Sequence, residues 1–311
     1  MKQLCVVVPC YNEEAALPET LRQLGAVLAQ LRSTQLITEG SSICLVDDGS
    51  RDRTWALIEA HARCDARIHG IKLSHNCGHQ NALLAGLLHA PGDVLISLDA
   101  DLQDDPQAMR EMLQAHAAGA DVVYGVRARR DADAWFKRAS AHGFYRLMRA
   151  LGVELVFDHA DYRLLSRRAV EALRGYGESN IFLRGIVPRL GFATATVRYE
   201  RQARVAGQTK YPLRRMLAFA LQGVTSFSAA PLRAITLLGM LVSAFSFGAT
   251  LWVLWVALFS AAAVPGWAST LVPIFFLGGV QLLSLGVIGE YIAKIHIETK
   301  RRPRFTVERT L

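Results

Sequence analysis

The stretch LDADLQDD, residues 98–105, places four carboxylates within eight residues of a chain whose formal net charge is +8. It follows the apolar run DVLIS, which is typical of a buried strand. Carboxylates this close repel one another unless a cation lies between them. In an extended segment residues i and i+2 point to the same side, so Asp99 and Asp101 can converge on one ion. The pair predicts a Mg²⁺ or Mn²⁺ site that carries a diphosphate.

Asp104 and Asp105 have a different expected role. Both precede Pro106, and proline is favoured in the first turn of a helix. We therefore expect these two carboxylates to cap the helix that follows.

The first part of the chain alternates between short β-branched runs and helix-like stretches rich in Ala and Leu. The runs are LCVVVP, SSICLVDD, RIHGIKLS, DVLISLD and ADVVYGVR. This alternation predicts an α/β fold with a mostly parallel sheet covered on both faces. Ligands of such sheets bind beyond the carboxyl ends of the strands, where PCYNEE, VDDGSRDRTW, HNCGHQNALLAGL and the acidic stretch occur. The layout indicates a nucleotide site, although the G-x-G-x-x-G fingerprint and the P-loop motif are both missing.

The chain changes character near residue 234. No charged residue occurs from Ala234 to Gly289, far more than the roughly 20 residues that one membrane helix needs. Residues 234–293 are therefore predicted to form two transmembrane helices joined by a turn at Pro265. Basic residues flank both outer ends, and the turn has none. The positive-inside rule then predicts a multi-pass protein of the inner (cytoplasmic) membrane, with residues 1–210 and a basic tail, residues 294–311, in the cytoplasm.

Residues 211–233 link the two regions. They read as a helix with basic residues near each end and apolar residues between. This segment is predicted to lie in the membrane surface as an amphipathic juxtamembrane helix. The alternative is an ordinary amphipathic helix packed on the cytoplasmic domain.

Together these residues resemble glycosyltransferase family 2 with the GT-A fold. The closest resemblance is to the polyprenyl-phosphate glycosyltransferases, which include dolichol-phosphate mannose synthase and bacterial undecaprenyl-phosphate glucosyltransferases. It rests on VVPCYNEE, LVDDGSRDRTW, NCGHQNALLAGL, LDADLQDDP, VYGVRARR…WFKR, DYRLLSRR and RVAGQTKYPLRR, in the family's order. The resemblance implies a GT-A nucleotide-sugar-binding domain, followed by an interfacial helix and a two-helix transmembrane hairpin.

The function implied by the resemblance is inverting, metal-dependent sugar transfer to a polyprenyl phosphate such as undecaprenyl phosphate. The donor would be UDP-glucose or a related UDP-sugar, the cofactor Mg²⁺ or Mn²⁺, and the product a lipid-linked monosaccharide for the cell envelope. GDP-mannose with a dolichol-type lipid is the main alternative. A processive polysaccharide synthase is a weaker one, because the chain has no R-W dipeptide. A non-catalytic membrane adaptor is weaker still, because such a protein would be expected to have lost acidic or basic site residues and this chain has kept them.

The expected partners follow from the same resemblance. They are the nucleotide sugar, the polyprenyl phosphate, the membrane and other copies of the chain, since relatives of this build form homo-oligomers, often tetramers. No nucleic-acid partner is expected, because the basic residues concentrate near the membrane segment and the phosphate sites.

The resemblance also implies which residues hold the donor. Those expected to line the nucleotide pocket are Pro9, Tyr11, Glu13, Asp47, Asp99 and Ala100. Those expected to reach the donor diphosphate are Arg204 and Lys210. Those expected at the metal are Asp99, Asp101 and Gln103, with Asp101 also a catalytic residue.

On the acceptor side, Arg127 and Arg138 are expected to bind the acceptor phosphate, and Asp161 is the candidate catalytic base. A lipid monophosphate is already an anion at neutral pH, so Asp161 could instead orient Arg138 or Arg163. One departure from the family stands in the third motif. Many relatives have Lys-Glu or Arg-Glu after the glycine, whereas this chain has His79-Gln80, and His79 is predicted to be a structural histidine.

Overall fold

The computed structural model of the chain describes residues 1–127, 159–178, 181–200 and 267–311, together with separate helical positions between residues 232 and 255. The chain divides into two compact units. The first comprises Met1–Arg146, Glu154–Pro212 and Arg301–Leu311. The second comprises Leu147–Val153 and Leu213–Lys300.

The strands in the described part of the chain form one eight-stranded sheet. They are β1 (Leu4–Cys10), β2 (Ser42–Asp47), β3 (Ile68–Leu73), β4 (Val94–Ser97), β5 (Val122–Arg127), β6 (His159–Ser166), β7 (Thr194–Tyr199) and β8 (Val307–Thr310). Their spatial order is β7-β5-β6-β4-β1-β2-β3-β8. β6 runs antiparallel to β4 and β5, and β8 antiparallel to β3; the other neighbours are parallel. The predicted mostly parallel α/β sheet is confirmed, with each of the predicted runs in a strand.

Helices connect these strands in the first unit. They are α1 (Leu17–Ser33), α2 (Thr54–Cys64), α3 (His79–His89), α4 (Met109–Ala117), α5 (Arg167–Arg174) and α6 (Leu183–Arg189), with a 3₁₀ turn at Pro106–Ala108. α1 shows why they pack on the sheet: Leu17, Leu21, Leu24, Leu28 and Leu31 recur at three- and four-residue spacing, and all are buried. Every residue of β1 is buried as well, as expected for a strand covered on both faces.

Helix α3 lies unusually close to the sheet. A Cβ atom added at Gly86 would clash with the side chains of Val7 on β1 and Val46 on β2. Glycine is needed here because the helix backbone approaches both strands directly. This close packing fixes the position of the helix start, which carries His79 and Gln80.

The second unit contains α7 (Trp267–Thr299). Its segment Val280–Thr299 is the one stretch of the described residues that is long and apolar enough to cross a membrane, judged by length and composition. Nearly all of the predicted interfacial helix, and about half of the first predicted transmembrane helix, lie outside the described residues. The two-helix hairpin therefore stays a prediction.

The C-terminal residues return to the sheet in a strand that sequence reasoning missed. β8 pairs antiparallel with β3. The backbone N–H of Leu311 donates to the carbonyl of Gly70 at 2.8 Å, and the N–H of Ser74 donates to the carbonyl of Thr306 at 3.0 Å. The segment expected as a basic tail thus ends as an edge strand of the eight-stranded sheet.

Candidate active site

The loops after β2 and β3 are joined at the carboxyl edge of the sheet. The carboxylate of Asp48 accepts backbone N–H groups from Cys77 at 2.7 Å and from Gly78 at 3.0 Å. Gly49 has a φ of +67°, and a Cβ atom there would lie 2.6 Å from the carbonyl carbon of His75. Only glycine meets both conditions. These contacts set the entry into α3.

Three of the residues predicted for the nucleotide pocket lie at the end of β1. Pro9 pairs with Val46 in the parallel register. Tyr11 follows the strand with 42% of its surface exposed. The backbone N–H of Glu13 donates to the hydroxyl of Thr54 at the start of α2, at 2.9 Å. The loops after β1 and β2 therefore meet where the pocket was predicted.

Asp47, the last residue of β2, is fully buried. Its Oδ1 accepts the backbone N–H of Ser50 at 3.3 Å, whereas its Oδ2 has no hydrogen-bond partner in the described part of the chain. Burial is the main cause that raises the pKa of Asp47. A buried acceptor without a donor is costly, so this oxygen suits a ligand that brings an N–H or O–H group.

The acidic stretch turns sharply after β4. Ala100 is buried, and its carbonyl accepts the hydroxyl of Thr20 on α1 at 2.7 Å. Leu102 has a φ of +52°, a left-handed conformation that costs energy for a side chain of this kind. The backbone N–H of Gln103, a buried residue, donates to Asp101 Oδ1 at 3.2 Å. Asp99, Asp101 and Gln103 therefore occupy one tight turn.

Asp99 carries the electrostatic signature of a cation site. Its side chain is 37% exposed, but the protein that surrounds the rest of it makes desolvation the main cause that raises its pKa to about 6. His79 opposes this rise, and the carboxylates of Asp161, Asp104 and Asp101 add to it. A divalent cation would relieve this repulsion. Among the described residues, no group of three or more His, Cys, Asp or Glu side chains could hold a metal ion. The repulsion that helps to raise the pKa of Asp99 is what makes Asp99 and Asp101 suit a cation.

Asp161 lies on β6 with 7% of its side chain exposed and is surrounded by donors. Arg163 Nη2 lies 2.5 Å from Oδ1, and Gln80 Nε2 donates to Oδ2 at 3.1 Å. Arg184 donates from Nε to Oδ1 and from Nη2 to Oδ2, both at 3.2 Å. Burial alone would raise the pKa of Asp161, but His79 and the two arginines together hold it well below its ordinary value.

His79 stands between two carboxylates. Its Nε2 lies 3.4 Å from Asp161 Oδ2 and 3.5 Å from Asp99 Oδ1, and 43% of the side chain is exposed. Desolvation works against the charged imidazole, yet the hydrogen bond with Asp161 and the charge of Asp99 outweigh it and raise the pKa of His79. The imidazole therefore contacts two predicted site carboxylates, and whether its role is structural stays a prediction.

Gln80 and Arg184 are site residues that sequence reasoning missed. The side-chain amide of Gln80 donates to Asp161, and its Oε1 accepts the backbone N–H of Leu183, the first residue of α6, at 3.1 Å. Arg184 follows directly. The signal available in the sequence was the polar pair His79-Gln80 at the start of an otherwise apolar helix. It could not show which partners the fold supplies.

Arg127 ends β5 beside Asp104. Its Nη2 and Nε donate to Asp104 Oδ1 at 2.9 and 3.1 Å, and the Tyr199 hydroxyl donates to the same oxygen at 2.5 Å. The helix-cap prediction is thus wrong for Asp104, which is buried with these partners, and confirmed for Asp105, whose side chain accepts the backbone N–H of Gln107. The Arg127 side chain is 30% exposed and can therefore be reached by a ligand. Its role toward an acceptor phosphate stays a prediction.

Three further predicted phosphate-binding residues, Arg138, Arg204 and Lys210, lie outside the described residues. The structure therefore brings together the predicted residues at the ends of β1, β2, β4 and β6. It adds His79, Gln80 and Arg184 to them.

Comparison with known proteins shows which family the chain matches. The sequence profile described as Glycosyl transferase family 2 matches residues 5–174. The chain is similar to the uncharacterized glycosyltransferase YkoT of Bacillus subtilis, with 49% identity over 98% of this chain and 91% of that protein. It is also similar to the prophage bactoprenol glucosyl transferase homolog of Escherichia coli, with 37% identity over 99% of both chains.

Two solved structures share the fold. Glucosyl-3-phosphoglycerate synthase from Mycobacterium tuberculosis, in complex with phosphoglyceric acid, superposes with a TM-score of 0.51 at 20% identity, over 72% of this chain and 78% of that one. Mannosyl-3-phosphoglycerate synthase from Rubrobacter xylanophilus superposes with a TM-score of 0.50 at 18% identity, over 77% and 75%. At this identity the likeness concerns the fold alone.

Proposed function

Because this chain belongs to glycosyltransferase family 2, we propose that it transfers one sugar from a nucleotide sugar to a polyprenyl phosphate. UDP-glucose or a related UDP-sugar is the proposed donor, and undecaprenyl phosphate the proposed acceptor. The nearly full-length similarity to a bactoprenol glucosyl transferase homolog supports the acceptor class. GDP-mannose is the alternative donor.

One observation carries the proposal: Asp99 Oδ1 and Asp161 Oδ2 lie 3.5 and 3.4 Å from the same atom, Nε2 of His79, at the carboxyl edge of the sheet. Asp99 repels its neighbours and suits a cation, whereas Asp161 is held ionised by two arginines. An acidic side for a metal-bound diphosphate and a basic side for a second anion thus stand next to each other. Transfer between two phosphate-bearing substrates needs this arrangement.

On the donor side, Asp99 and Asp101 would hold Mg²⁺ or Mn²⁺ with Gln103 nearby. A bound divalent cation supplies electrostatic stabilisation of the leaving nucleoside diphosphate. Asp47 offers its buried Oδ2 to the nucleoside. Arg204 and Lys210 are proposed to reach the diphosphate from the segment before residue 211.

In the proposed reaction, an oxygen of the acceptor phosphate attacks the anomeric carbon, and the bond from that carbon to the donor diphosphate breaks. The electron pair leaves with the diphosphate, and a single displacement inverts the anomeric centre. The attacking phosphate is already an anion at neutral pH. Asp161 is therefore proposed as an orienting group rather than a base, since its depressed pKa makes it a poor proton acceptor.

The proposed acceptor explains an anchor in the membrane. A polyprenyl chain stays in the bilayer, so the catalytic unit must work at its surface. The apolar helix α7 supports membrane association. We propose the full arrangement of residues 211–233 as an interfacial helix, two spans within 234–293 and a catalytic unit on the cytoplasmic side, with Arg127 and Arg138 near the acceptor phosphate and several copies of the chain assembled together.

The test is a transfer assay with the purified full-length protein in detergent, undecaprenyl phosphate and a panel of labelled nucleotide sugars. We expect label in the organic phase from one donor, with Mg²⁺ or Mn²⁺ present and not with EDTA. Asp99→Asn should abolish this transfer, whereas Asp105→Asn, which removes the same charge six residues away at a helix cap, should retain most of it. Absence of transfer from every donor, together with absence of nucleotide binding, would contradict the proposal.

A further inference from the structure

We infer that Arg184 binds a substrate phosphate and that Asp161 and Gln80 hold it in place for that contact. The inference rests on the proposed function, because it concerns the anion that the basic side of the site receives. It assigns Arg184 as a catalytic residue and makes Asp161 and Gln80 positioning residues.

More than one positive group contacts Asp161. Two guanidinium groups, those of Arg163 and Arg184, face one carboxylate. The side chain of Arg163 is only 1% exposed, so it can touch no substrate. That of Arg184 is 35% exposed. Arg184 is therefore the member of this pair that a substrate can contact.

The guanidinium of Arg184 is held in a forked geometry. Its Nε and Nη2 each lie 3.2 Å from a different oxygen of Asp161. A forked pair fixes the plane of the guanidinium as well as its position. A lysine could supply the charge but not this orientation. Asp161 itself is immobilised by Arg163 at 2.5 Å.

Gln80 helps to fix Arg184 through the backbone of the preceding residue. Its amide donates to Asp161 Oδ2 at 3.1 Å while its Oε1 accepts the N–H of Leu183 at 3.1 Å. The carboxylate that holds Arg184 and the backbone that carries Arg184 are thus bonded to one side chain. Such double anchoring is what a preorganised binding group needs.

The location selects phosphate as the ligand chemistry. Asp161 and Asp99, the proposed metal ligand, both lie within 3.5 Å of His79 Nε2. An anion on Arg184 therefore lies beside a metal-bound diphosphate. Two groups meet this description, the acceptor monophosphate and a phosphate of the donor, and Arg–phosphate pairing suits both.

The experiment compares Arg184→Gln, Arg184→Lys and Arg184→Ala with wild type in the transfer assay, varying each substrate in turn. Arg189→Gln, an exposed arginine on the same helix, is the matched control. A charge-assisted contact of this kind corresponds to a loss of about 10- to 100-fold in kcat/KM. We expect that loss for Arg184→Gln, partial retention for Arg184→Lys, partial rescue of Arg184→Ala by guanidinium ion, and near-normal kinetics for Arg189→Gln.

The two phosphate sources give different results. If the acceptor is bound, its KM rises while UDP affinity, measured by calorimetry, stays within about twofold of wild type. If the donor is bound, its KM rises and UDP affinity falls. Normal kinetics of Arg184→Gln would overturn the inference, as would a loss in all three variants that follows thermal stability and resists guanidinium. A wild type that transfers no sugar would instead overturn the proposed function.

Discussion

Arg163 Nη2 lies 2.5 Å from Asp161 Oδ1, and both side chains are almost entirely removed from water. The Nε and Nη1 atoms of Arg163 have no hydrogen-bond partner in the described part of the chain. Desolvation is the main cause that lowers the pKa of Arg163, and Asp161 opposes it. This pair is held by the sheet, since Ser97 on β4 donates to the Asp161 carbonyl at 2.5 Å. A buried ion pair thus supports the base of the site.

Replacing one partner of this pair should be costly. Arg163→Met leaves Asp161 buried with fewer positive neighbours, and loss of one partner from a buried pair costs about 3 kcal/mol or more. The midpoint of thermal unfolding in detergent should fall clearly. Arg174→Gln breaks a pair with Glu171 in which both side chains are about half exposed, and it should change stability by less than about 1 kcal/mol. Equal midpoints for the two variants would contradict the buried-pair account.

Asp99 should make the metal-free protein less stable as pH rises. Its pKa is about 6 in the fold against an ordinary value of 3.8, so the folded state binds the proton more tightly than the unfolded state. The stability this provides is complete below about pH 4 and is lost as pH rises through 6. The Asp99→Asn variant has no ionisable group at this position, so its stability does not fall with pH for this reason. Because the side chain is partly exposed, solvent screening reduces the expected change in the free energy of unfolding to about 1 kcal/mol.

The measurement is the unfolding midpoint of both proteins at pH 4.5 and 7.5 with EDTA, then with Mn²⁺. Asp99→Asn should unfold at a higher temperature than wild type at pH 7.5, and the gap should narrow at pH 4.5. Mn²⁺ should raise the wild-type midpoint at pH 7.5 and leave the variant unchanged. A gap that is constant with pH would show that the ionisation of Asp99 is not the cause.

Two glycines on helices should respond to alanine with opposite signs. At Gly86 on α3 a methyl group meets Val7 and Val46, and overpacking of this kind costs about 1–3 kcal/mol. At Gly25 on α1 nothing lies within 4 Å of the added Cβ atom, so alanine should stabilise the helix by about 0.5–1 kcal/mol. Thermal unfolding of the two variants checks the sign of each change. A stabilised Gly86→Ala would contradict the close approach of α3 to the sheet.

The C-terminal strand should contribute to the stability of the catalytic unit. Deleting residues 307–311 removes the ladder with β3 and the side chain of Leu311, which lies against Gly70. Several lost backbone hydrogen bonds correspond to roughly 2–4 kcal/mol. Amide exchange in β3 should accelerate and the unfolding midpoint should fall.

Glu308→Gln is the control for this deletion. It removes only a partly exposed ion pair with Lys72 at 2.9 Å, so a change below about 1 kcal/mol is expected. Unchanged amide exchange in the truncated protein would show that β8 does not protect the sheet edge.

Strands β1 to β5 could be predicted from the sequence because each lies in a short β-branched run, whereas β7, TATVRY, does not form such an apolar run. β6 could not, because HADYRLLS carries Asp161 and Arg163, whose burial is possible only when each has the other as a partner. β8 has four residues, three of them exposed, and its pairing with β3 is a long-range contact. Neither β6 nor β8 has a local sequence pattern from which a strand could be predicted.

The candidate site divides in the same way. Asp47 ends an apolar strand and Asp99 and Asp101 follow one, so their position at the sheet edge could be predicted from the sequence. The roles of His79, Gln80 and Arg184 depend on contacts between α3, β6 and α6, which are far apart in the chain. Their residue types alone also fit a helix start or a surface arginine, and only the three-dimensional arrangement brings them to Asp161.

The most direct test of the central claim is the structure of the product formed from UDP-glucose, in which glucose is α-linked, and undecaprenyl phosphate with Mn²⁺. Phosphorus and proton NMR of the purified lipid should show a phosphodiester in place of the monophosphate and a β-linked glucose. That result would establish single transfer to the lipid phosphate with inversion. An α-linked product would contradict the proposed single displacement, and free glucose or glucan chains without a phosphodiester would contradict transfer to the lipid phosphate.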